Sequence, residues 1–519
     1  MTPFKAPLDD ILFTLTHVAG ADSLPDWDAD FAAEIGAHFA AFAEGEIAPL
    51  DEPGDRQGCT LTDGRVHMPD GFADVYRAYA EQGWPGLTAP EDFGGQGQGA
   101  LMLAITSEVF SGANHSLQMV TGLVPGAIRT LLRFGTEDQK ARHIPPLASG
   151  EALATMCLTE PPAGSDLSRV RCRAEPAGNG WAITGEKIFI SGGDQDMSDR
   201  ILHLVLARTS DNGVKGLSLF LCPSERLDGR RNGVTVTRIE EKMGLHASPT
   251  CQLAFDGAEA ELIGEEGQGL MAMFTMMNHA RLDVALQGVA HAARAYDVAS
   301  RYAAERVQGR GADGAPATLD AHADVRRMLD EIDRNAMAGR AIAHLAFVTM
   351  ESGDDPDLVD FLTPVAKVFC TEGGMRAADL GIQVLGGYGY LREYRLEQTY
   401  RDARITAIYE GANGIHERML ATRLAGGKAA DAFARFVAAE AACHPDQGIE
   451  AALTHWADLR DRVTRADDPA ALAHTFMQRT IETLLTCITA RMVAAAERHP
   501  DPARLARLCD GPVAQGAAA

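Results

Sequence analysis

Four short stretches of this sequence combine residue types that could bind or transform a small molecule. In Met156-Cys157-Leu158-Thr159-Glu160-Pro161-Pro162-Ala163-Gly164-Ser165-Asp166, an apolar strand runs into a turn fixed by two prolines. Gly164 lets the backbone approach a ligand, and Thr159 and Ser165 supply hydroxyls. The turn adds free N–H groups, a combination that suits a flat heteroaromatic ring or a phosphate. In Lys187-Ile188-Phe189-Ile190-Ser191-Gly192-Gly193, a strand carries an aromatic, then a hydroxyl, then two glycines. In Ala407-Ile408-Tyr409-Glu410-Gly411-Ala412-Asn413-Gly414-Ile415, a carboxylate lies between apolar residues and a glycine. Burial disfavours the charged form, so a buried Glu410 would have a raised pKa and could act as a general base near neutrality. Gln383-Val384-Leu385-Gly386-Gly387-Tyr388-Gly389 places glycines at a helix end, where capping is the ordinary role and a phosphate contact the special one. Taken singly, each stretch also fits plain structure: a surface turn, a strand end, an exposed loop glutamate, a cap.

The elements that must position these stretches follow from period and composition. From about Asp9 to Ser149 the pattern is helical, with apolar residues every three or four positions in Phe31–Phe42, Phe72–Glu81 and Leu101–Phe110. From about Ala152 to Gly264 the segments are short, β-branched and often alternating. They are Trp181–Ile190, His203–Ala207, Leu217–Cys222, Val234–Ile239 and Cys251–Phe255, with turn signals between them. Helical patterns return in Met271–Arg306, Asp320–Ser352 and Asp357–Gly387, with Gly309–Pro316 as a polar loop, and a bundle is expected. After Gly426-Gly427, Ile449–Arg465 and Ala470–His499 read as helices of an added module, and Gly511–Ala519 as a frayed end. The expected fold is α+β, mainly α. It has an N-terminal helical domain (1–151), a middle β-barrel-like domain (152–268), a helical bundle (269–425) and an extra C-terminal helical module (426–519).

Composition limits the function classes. Of 519 residues, 72 are acidic and 47 basic, a formal net charge of −25. That disfavours non-specific binding to nucleic acid or anionic lipid. No stretch has the roughly 20 apolar residues of a membrane span, and Met1–Gly20 lacks the order of a secretory signal. The nine cysteines are widely spaced with no C-x-x-C pair, which reads as reduced thiols in a cytoplasm and neither a disulfide framework nor a metal site.

In their order and spacing, the four stretches resemble the acyl-CoA dehydrogenase family across roughly residues 30–425. Further support comes from Gly83-Trp84 with Pro90-Glu91-Asp92-Phe93-Gly94-Gly95, from Phe134-Gly135-Thr136-Glu137-Asp138-Gln139-Lys140, and from Glu241-Lys242-Met243-Gly244. Lys5–Leu8, Arg306–Arg310, Asp324–Leu329 and the helical extension look closer to the 3-methylmercaptopropionyl-CoA dehydrogenase type. The resemblance implies FAD-dependent α,β-dehydrogenation of an acyl-CoA to the 2-enoyl-CoA, on a short acyl chain such as 3-methylmercaptopropionyl. An acyl-CoA oxidase, or a flavoprotein with a nucleic-acid-associated role, is the alternative within the wider fold.

The resemblance also implies roles. Glu410 is the catalytic base; the alternative position used by some members falls at Ala280, which has no carboxylate. Met156, Leu158, Thr159, Phe189 and Ser191 border the flavin, and Ser165 meets both FAD phosphate and the CoA chain. Arg306, Gln308, His322, Gln383 and Gly387 hold the ADP half of FAD on the neighbouring subunit, which implies a homodimer or a dimer of dimers. Asn278, Arg281 and Gly411 line the acyl-CoA channel. Electron-transfer flavoprotein is the implied electron acceptor. Phe189, Ser191 and Ala412 depart from the Trp, Thr and hydroxyl residue common at those positions in the family.

Overall fold

Hydrophobic repeats at helical spacing occupy most of the chain, and the computed structural model follows them. It describes residues 3–226, 228–445 and 447–510, so the expected fraying of Gly511–Ala519 lies outside the described residues. The described residues of Met1–Glu44, Ala100–Ala113 and Arg281–Ala519 form one compact unit, and those of Gly45–Gly99 and Asn114–Ala280 form a second.

The second unit is built around a sheet. Strands β1 (Thr60–Thr62) and β2 (Arg65–His67) make a small hairpin in a stretch whose pattern reads as helical. Its Asp63-Gly64 turn has both residues at positive φ, as a tight hairpin requires. Polar Thr60, Thr62, Arg65 and His67 flank Leu61 and Val66 with a period of two, and with Asp63-Gly64 between them this is a hairpin signal that the helical reading of the stretch passed over. The main sheet contains β3 (Ala152–Cys157), β4 (Arg173–Ala177), β5 (Gly180–Ser191), β6 (Arg200–Arg208), β7 (Leu217–Pro223), β8 (Val234–Ile239) and β9 (Thr250–Ile263). The strand order is β3-β6-β4-β5-β9-β7 with β8 on β9, and β6 also pairs with β7. The path β6-β4-β5-β9-β7 therefore closes on itself, which is the barrel-like form. Buried Ile183, Val205, Phe220, Leu253 and Phe255 share one face in this register, where Trp181 meets Phe220 and His203 meets Phe255. Against this sheet, Gln139 at the capped start of the Glu137–Ser149 helix donates to Leu262 O.

In the first unit, the helices Gly269–Glu305 (from Arg281), Ala323–Ser352 and Pro356–Leu385 pack through small residues. A Cβ on Gly288 would lie 2.4 Å from Cys370 O, and one on Gly374 would lie 2.5 Å from Gly288 O. Those two helices thus touch backbone to backbone, and the Ala-rich faces around Ala292, Ala295, Ala299, Ala336 and Ala377 interlock alongside. Gly309–Pro316 is not a plain loop. Strands β10 (Val307–Arg310) and β11 (Pro316–Thr318) pair there as an exposed ribbon. Its residues are nearly all polar or small, so neither face shows an apolar alternation. The C-terminal helices Lys428–Cys443, Ile449–Arg465 and Ala473–Ala495 join the bundle through an aromatic cluster. Phe361 stacks on Phe433 with centroids 4.7 Å apart, and Trp456, fully buried, meets both rings.

A buried ionic network ties distant parts of this unit together. Arg504, on the Pro502–Asp510 helix, donates to both carboxylate oxygens of Asp333 (2.7 and 2.6 Å) and to both of Asp10 (2.9 and 2.9 Å). His499 Nε2 donates to Asp10 Oδ1 at 2.9 Å, its Nδ1 accepting from Asp501 N. Arg340, with no exposed surface, is bidentate on buried Glu108. Burial works against the Asp10 charge, but His499, Arg340 and Arg504 outweigh it and hold that carboxyl well below the usual range. Removing one partner leaves a buried charge uncompensated, which typically costs about 3–5 kcal/mol. Arg504→Ala should therefore lower the denaturant midpoint strongly. Arg465→Ala, at an exposed bridge to Asp461, should leave it nearly unchanged. Equal midpoints for the two variants would refute the network's role.

Candidate active site

Glu410 lies in the turn between the Leu396–Thr406 and Asn413–Met419 helices of the first unit. Its φ is +53° and that of Gly411 is +96°. A left-handed glutamate is uncommon and marks a conformation held by its surroundings. The holding groups are all cationic or imidazole donors behind the turn. Arg281 Nε donates to Glu410 O at 3.3 Å, and His416 Nε2 lies 3.1 Å from the same oxygen. Lys367 Nζ donates to Gly411 O at 2.9 Å and to Asn413 Oδ1 at 2.8 Å. Gly411 is required sterically as well, since a Cβ there would sit 2.9 Å from His416 Nε2. On the preceding side, Tyr409 OH donates to Gln287 Oε1.

Two features of this turn are chemically unspent. Glu410 Oε2 is buried and has no hydrogen-bond partner among the described residues. The N–H groups of Glu410, Gly411 and Ala412 likewise have no acceptor among them. Because a trans peptide sets N–H opposite C=O, pinning the Glu410 and Gly411 carbonyls from behind turns the Gly411 and Ala412 N–H groups the other way. Burial raises the Glu410 pKa to about 7, against the opposing pull of Arg281 and Lys367. Burial also lowers Lys367 to about 7 and His416 to about 3, so His416 is neutral near pH 7.

Of the residues expected to line the acyl-CoA channel, the structure brings Arg281 and Gly411 together around Glu410, all within the first unit. Asn278 is exposed on the Gly269–Glu305 helix, within the second unit. In that unit, Met156 is the last residue but one of β3, and Leu158 and Thr159 begin the following loop. Ile188 N donates to Thr159 O at 2.9 Å, which sets this loop beside the irregular stretch of β5 that carries Phe189. Lys187, fully buried, locks the loop from beneath by donating to Leu158 O and Glu160 Oε1. Phe189 has φ +59° and is 60% exposed, a large ring held strained and open on a rigid strand. Ser191 ends β5 half-buried, Ser165 is exposed, and a Cβ on Gly164 would meet nothing within 4 Å. An uncovered aromatic face beside an open, hydroxyl-bearing turn fits a flat heteroaromatic cofactor. Met273, Met276 and Met277 of the same unit are buried as core.

Arg306, Gln308, Gln383 and Gly387 are all exposed on the first unit. Arg306 lies over the Tyr388 ring at 5.6 Å, next to Gly387, and a His322 ring nitrogen lies 2.7 Å from Gln308 O. Gly386 caps the Pro356–Leu385 helix with φ +61°, so capping is one role of that glycine cluster. Sequence reading passed over Lys367 and His416. The available signal for Lys367 was a lysine enclosed by Val365, Ala366, Val368 and Cys370 on a helix buried on several sides. Nothing local marked His416. Among the described residues no helix is long and apolar enough to cross a membrane, and no cluster of ligands could hold a metal. The nine cysteines are all unpaired.

A helical unit with a glutamate whose Oε2 is buried and unpartnered, and a sheet unit with an open aromatic ledge, carry features suited to cofactor-dependent acid–base chemistry. Comparison with known proteins fixes the class. Models of the N-terminal, middle and C-terminal domains of acyl-CoA dehydrogenases match residues 32–151, 155–258 and 267–425. The chain is 40% identical over 466 residues to the 3-methylmercaptopropionyl-CoA dehydrogenase of Ruegeria pomeroyi, covering 84% of this chain and 79% of that one. A chain in a structure of the electron transferring flavoprotein of Acidaminococcus fermentans superposes with a TM-score of 0.67 at 28% identity, over 76% of this chain and 97% of that one. Caenorhabditis elegans ACDH-11, solved with C11-CoA, shares the fold at a TM-score of 0.78 and 20% identity, over 98% of this chain and 92% of its own. The chain belongs to the acyl-CoA dehydrogenase family. It is an FAD-dependent oxidoreductase acting on a CH–CH bond of an acyl-CoA.

The raised Glu410 pKa has a stability consequence. Between the ordinary glutamate value of 4.5 and about 7 the folded state binds more protons than the unfolded state, so folding loses free energy as pH rises through that window. Glu410→Gln removes the ionisation. The variant should melt above the wild type at pH 8, and the gap should vanish below about pH 4.5. A gap independent of pH would contradict a buried, titrating Glu410.

Proposed function

We propose that the chain dehydrogenates a short acyl-CoA with Glu410 as the base that takes the α-proton. The observation that carries this reading is the buried, unpartnered Oε2 on a strained turn. A thioester α-proton is weakly acidic, so its removal needs a positioned base and stabilisation of the developing enolate oxygen. Glu410, with its pKa near 7, is matched to that task. The free N–H groups of the same turn are donors suited to the thioester oxygen, and a closing substrate that excludes water would strengthen both effects. Bound FAD supplies the acceptor for the hydride leaving Cβ.

Met156, Leu158, Thr159, Phe189 and Ser191 are the residues proposed to border the flavin ring, with Ser165 at the phosphate and CoA chain. Asn278, Arg281 and Gly411 are proposed for the acyl-CoA. Arg306, Gln308, His322, Gln383 and Gly387 are proposed to hold the ADP half of FAD across a homodimer or a dimer of dimers. The exposure of Arg306, Gln308, Gln383 and Gly387 supports this, since it leaves them open to a ligand. Electron-transfer flavoprotein is the proposed electron acceptor, and the cytoplasm the proposed location. The Ruegeria relative favours 3-methylmercaptopropionyl-CoA or another short acyl-CoA as substrate.

Anaerobic bleaching of the flavin tests the chemistry. Wild type should bleach with short acyl-CoAs, and kcat/KM should fall steeply from butyryl- to octanoyl-CoA, by roughly 1–3 kcal/mol per methylene the pocket does not accommodate. Glu410→Gln should keep FAD and bind the same ligands but lose about a thousandfold in rate. Near-normal turnover in that variant would move the base elsewhere. Highest kcat/KM on octanoyl- or palmitoyl-CoA would overturn only the short-chain reading, and rapid reoxidation in air would indicate an oxidase.

Light scattering tests the assembly. An FAD-saturated, active monomer would refute a cofactor shared between subunits.

A further inference from the structure

Lys367 is an ammonium group enclosed in the bundle with no exposed surface. It sits in the interior of the Pro356–Leu385 helix between apolar neighbours, where a leucine or methionine would pack at far smaller desolvation cost. Its two hydrogen bonds go to the turn that carries Glu410: to Gly411 O at 2.9 Å and to Asn413 Oδ1 at 2.8 Å. Asn413 is itself fixed, its Nδ2 donating to Thr371 Oγ1 and Glu372 Oε1, each at 3.1 Å. The lysine, the asparagine and one turn of the Pro356–Leu385 helix thus form a closed set of contacts under the Glu410–Gly411 peptides.

We propose that Lys367 is a positioning residue for the dehydrogenation: it holds the Glu410–Gly411 turn from behind and sets both the reach of the carboxylate and the direction of the turn's free N–H groups. This rests on the reading of Glu410 as base. The lysine touches neither substrate nor cofactor in this role. It acts through the peptide it pins, as His416 and Arg281 do through Glu410 O. Its charge adds a second effect, because a cation beside Glu410 favours the carboxylate. The other ionisable groups facing the Glu410 carboxyl are Arg281 and Asp283 from the Gly269–Glu305 helix. Tyr409 and His416 adjoin it on the turn and the following helix; both are neutral near pH 7 because burial pushes the tyrosine up and the histidine down. Glu372 and Arg281 act on Lys367 itself.

The test uses the FAD-loaded enzyme and compares Lys367→Met, Lys367→Gln and Lys367→Arg. Lys367→Met should lower kcat by about a hundredfold at a KM within about threefold of wild type, the mark of lost positioning. The acid limb of its kcat profile should move to higher pH by about one unit, because Glu410 has lost a neighbouring cation. Lys367→Gln keeps a donor for Gly411 O, so it should recover part of kcat yet show the same displaced limb. Lys367→Arg keeps the charge and should leave the limb in place. A purely structural lysine would lower activity equally at all pH values, with the limb unmoved, and that outcome overturns the proposal, as does wild-type kcat in Lys367→Met. If the Met and Gln variants do not fold with FAD, Asn413→Ala removes the second acceptor instead. It should lower kcat about tenfold at constant KM, and wild-type kcat there would equally overturn the proposal. Should Glu410→Gln itself turn over normally, the base assignment fails first, and the Lys367 profiles are then read against whichever group sets the limb.

Discussion

A single unpaired carboxyl oxygen sets the terms for the rest of the first unit. A buried carboxylate without a partner is costly, and the cost at Glu410 Oε2 is met by arrangement alone. The cations nearby are spent on backbone carbonyls: Arg281 on Glu410 O, Lys367 on Gly411 O. Neither forms an ion pair with the glutamate. Charge close enough to keep the group near neutrality, but directed elsewhere, leaves the carboxyl free to exchange a proton. A direct salt bridge would have driven its pKa down, away from neutrality.

The bundle exists in a form that can support such a turn. Strain at two consecutive positive-φ residues persists only where the surroundings over-determine it. The backbone-to-backbone contact at Gly288 and Gly374 allows the Gly269–Glu305 and Pro356–Leu385 helices to bring Arg281 and Lys367 to consecutive carbonyls of one turn. The second unit uses the same logic with other parts. Buried Lys187 and Glu160 lock the loop after β3, and beside it Phe189, at positive φ, leaves its aromatic ring exposed. In both units an interior lysine donates to the backbone of a working loop, which ranks rigidity of the loop above economy of the core.

The sequence carried the proposed site residues more clearly than their supports. Glu410, Gly411 and the Thr159–Ser165 loop stood out because their types are unusual in apolar or turn contexts, and their spacing matched a known family. The long Ala-rich helices were legible from period alone, and Val234–Ile239 and Ile449–Arg465 were read to the residue. What escaped depended on contacts distant in sequence. Lys367 is separated by 44 positions from the carbonyl that explains it, and no local pattern could show that link. Short ribbons escaped for different reasons: the two three-residue alternations of β1–β2 were absorbed into a helical stretch, and β10–β11 buries too little side chain to leave a period-two trace.

The Asp10–Arg504 contact gives the chain a schedule. Its partners are 494 residues apart, so the carboxylate that the network holds is made long before the cation that completes it. At about 5–20 residues per second of synthesis, the interval is roughly half a minute to a minute and a half. Asp10 lacks that guanidinium throughout the interval, and Asp333, 171 residues before Arg504, lacks it through roughly the last third. The first unit therefore cannot close segment by segment as it leaves the ribosome. Its first and last helices must meet in one late step, and a growing chain has to remain unaggregated until then.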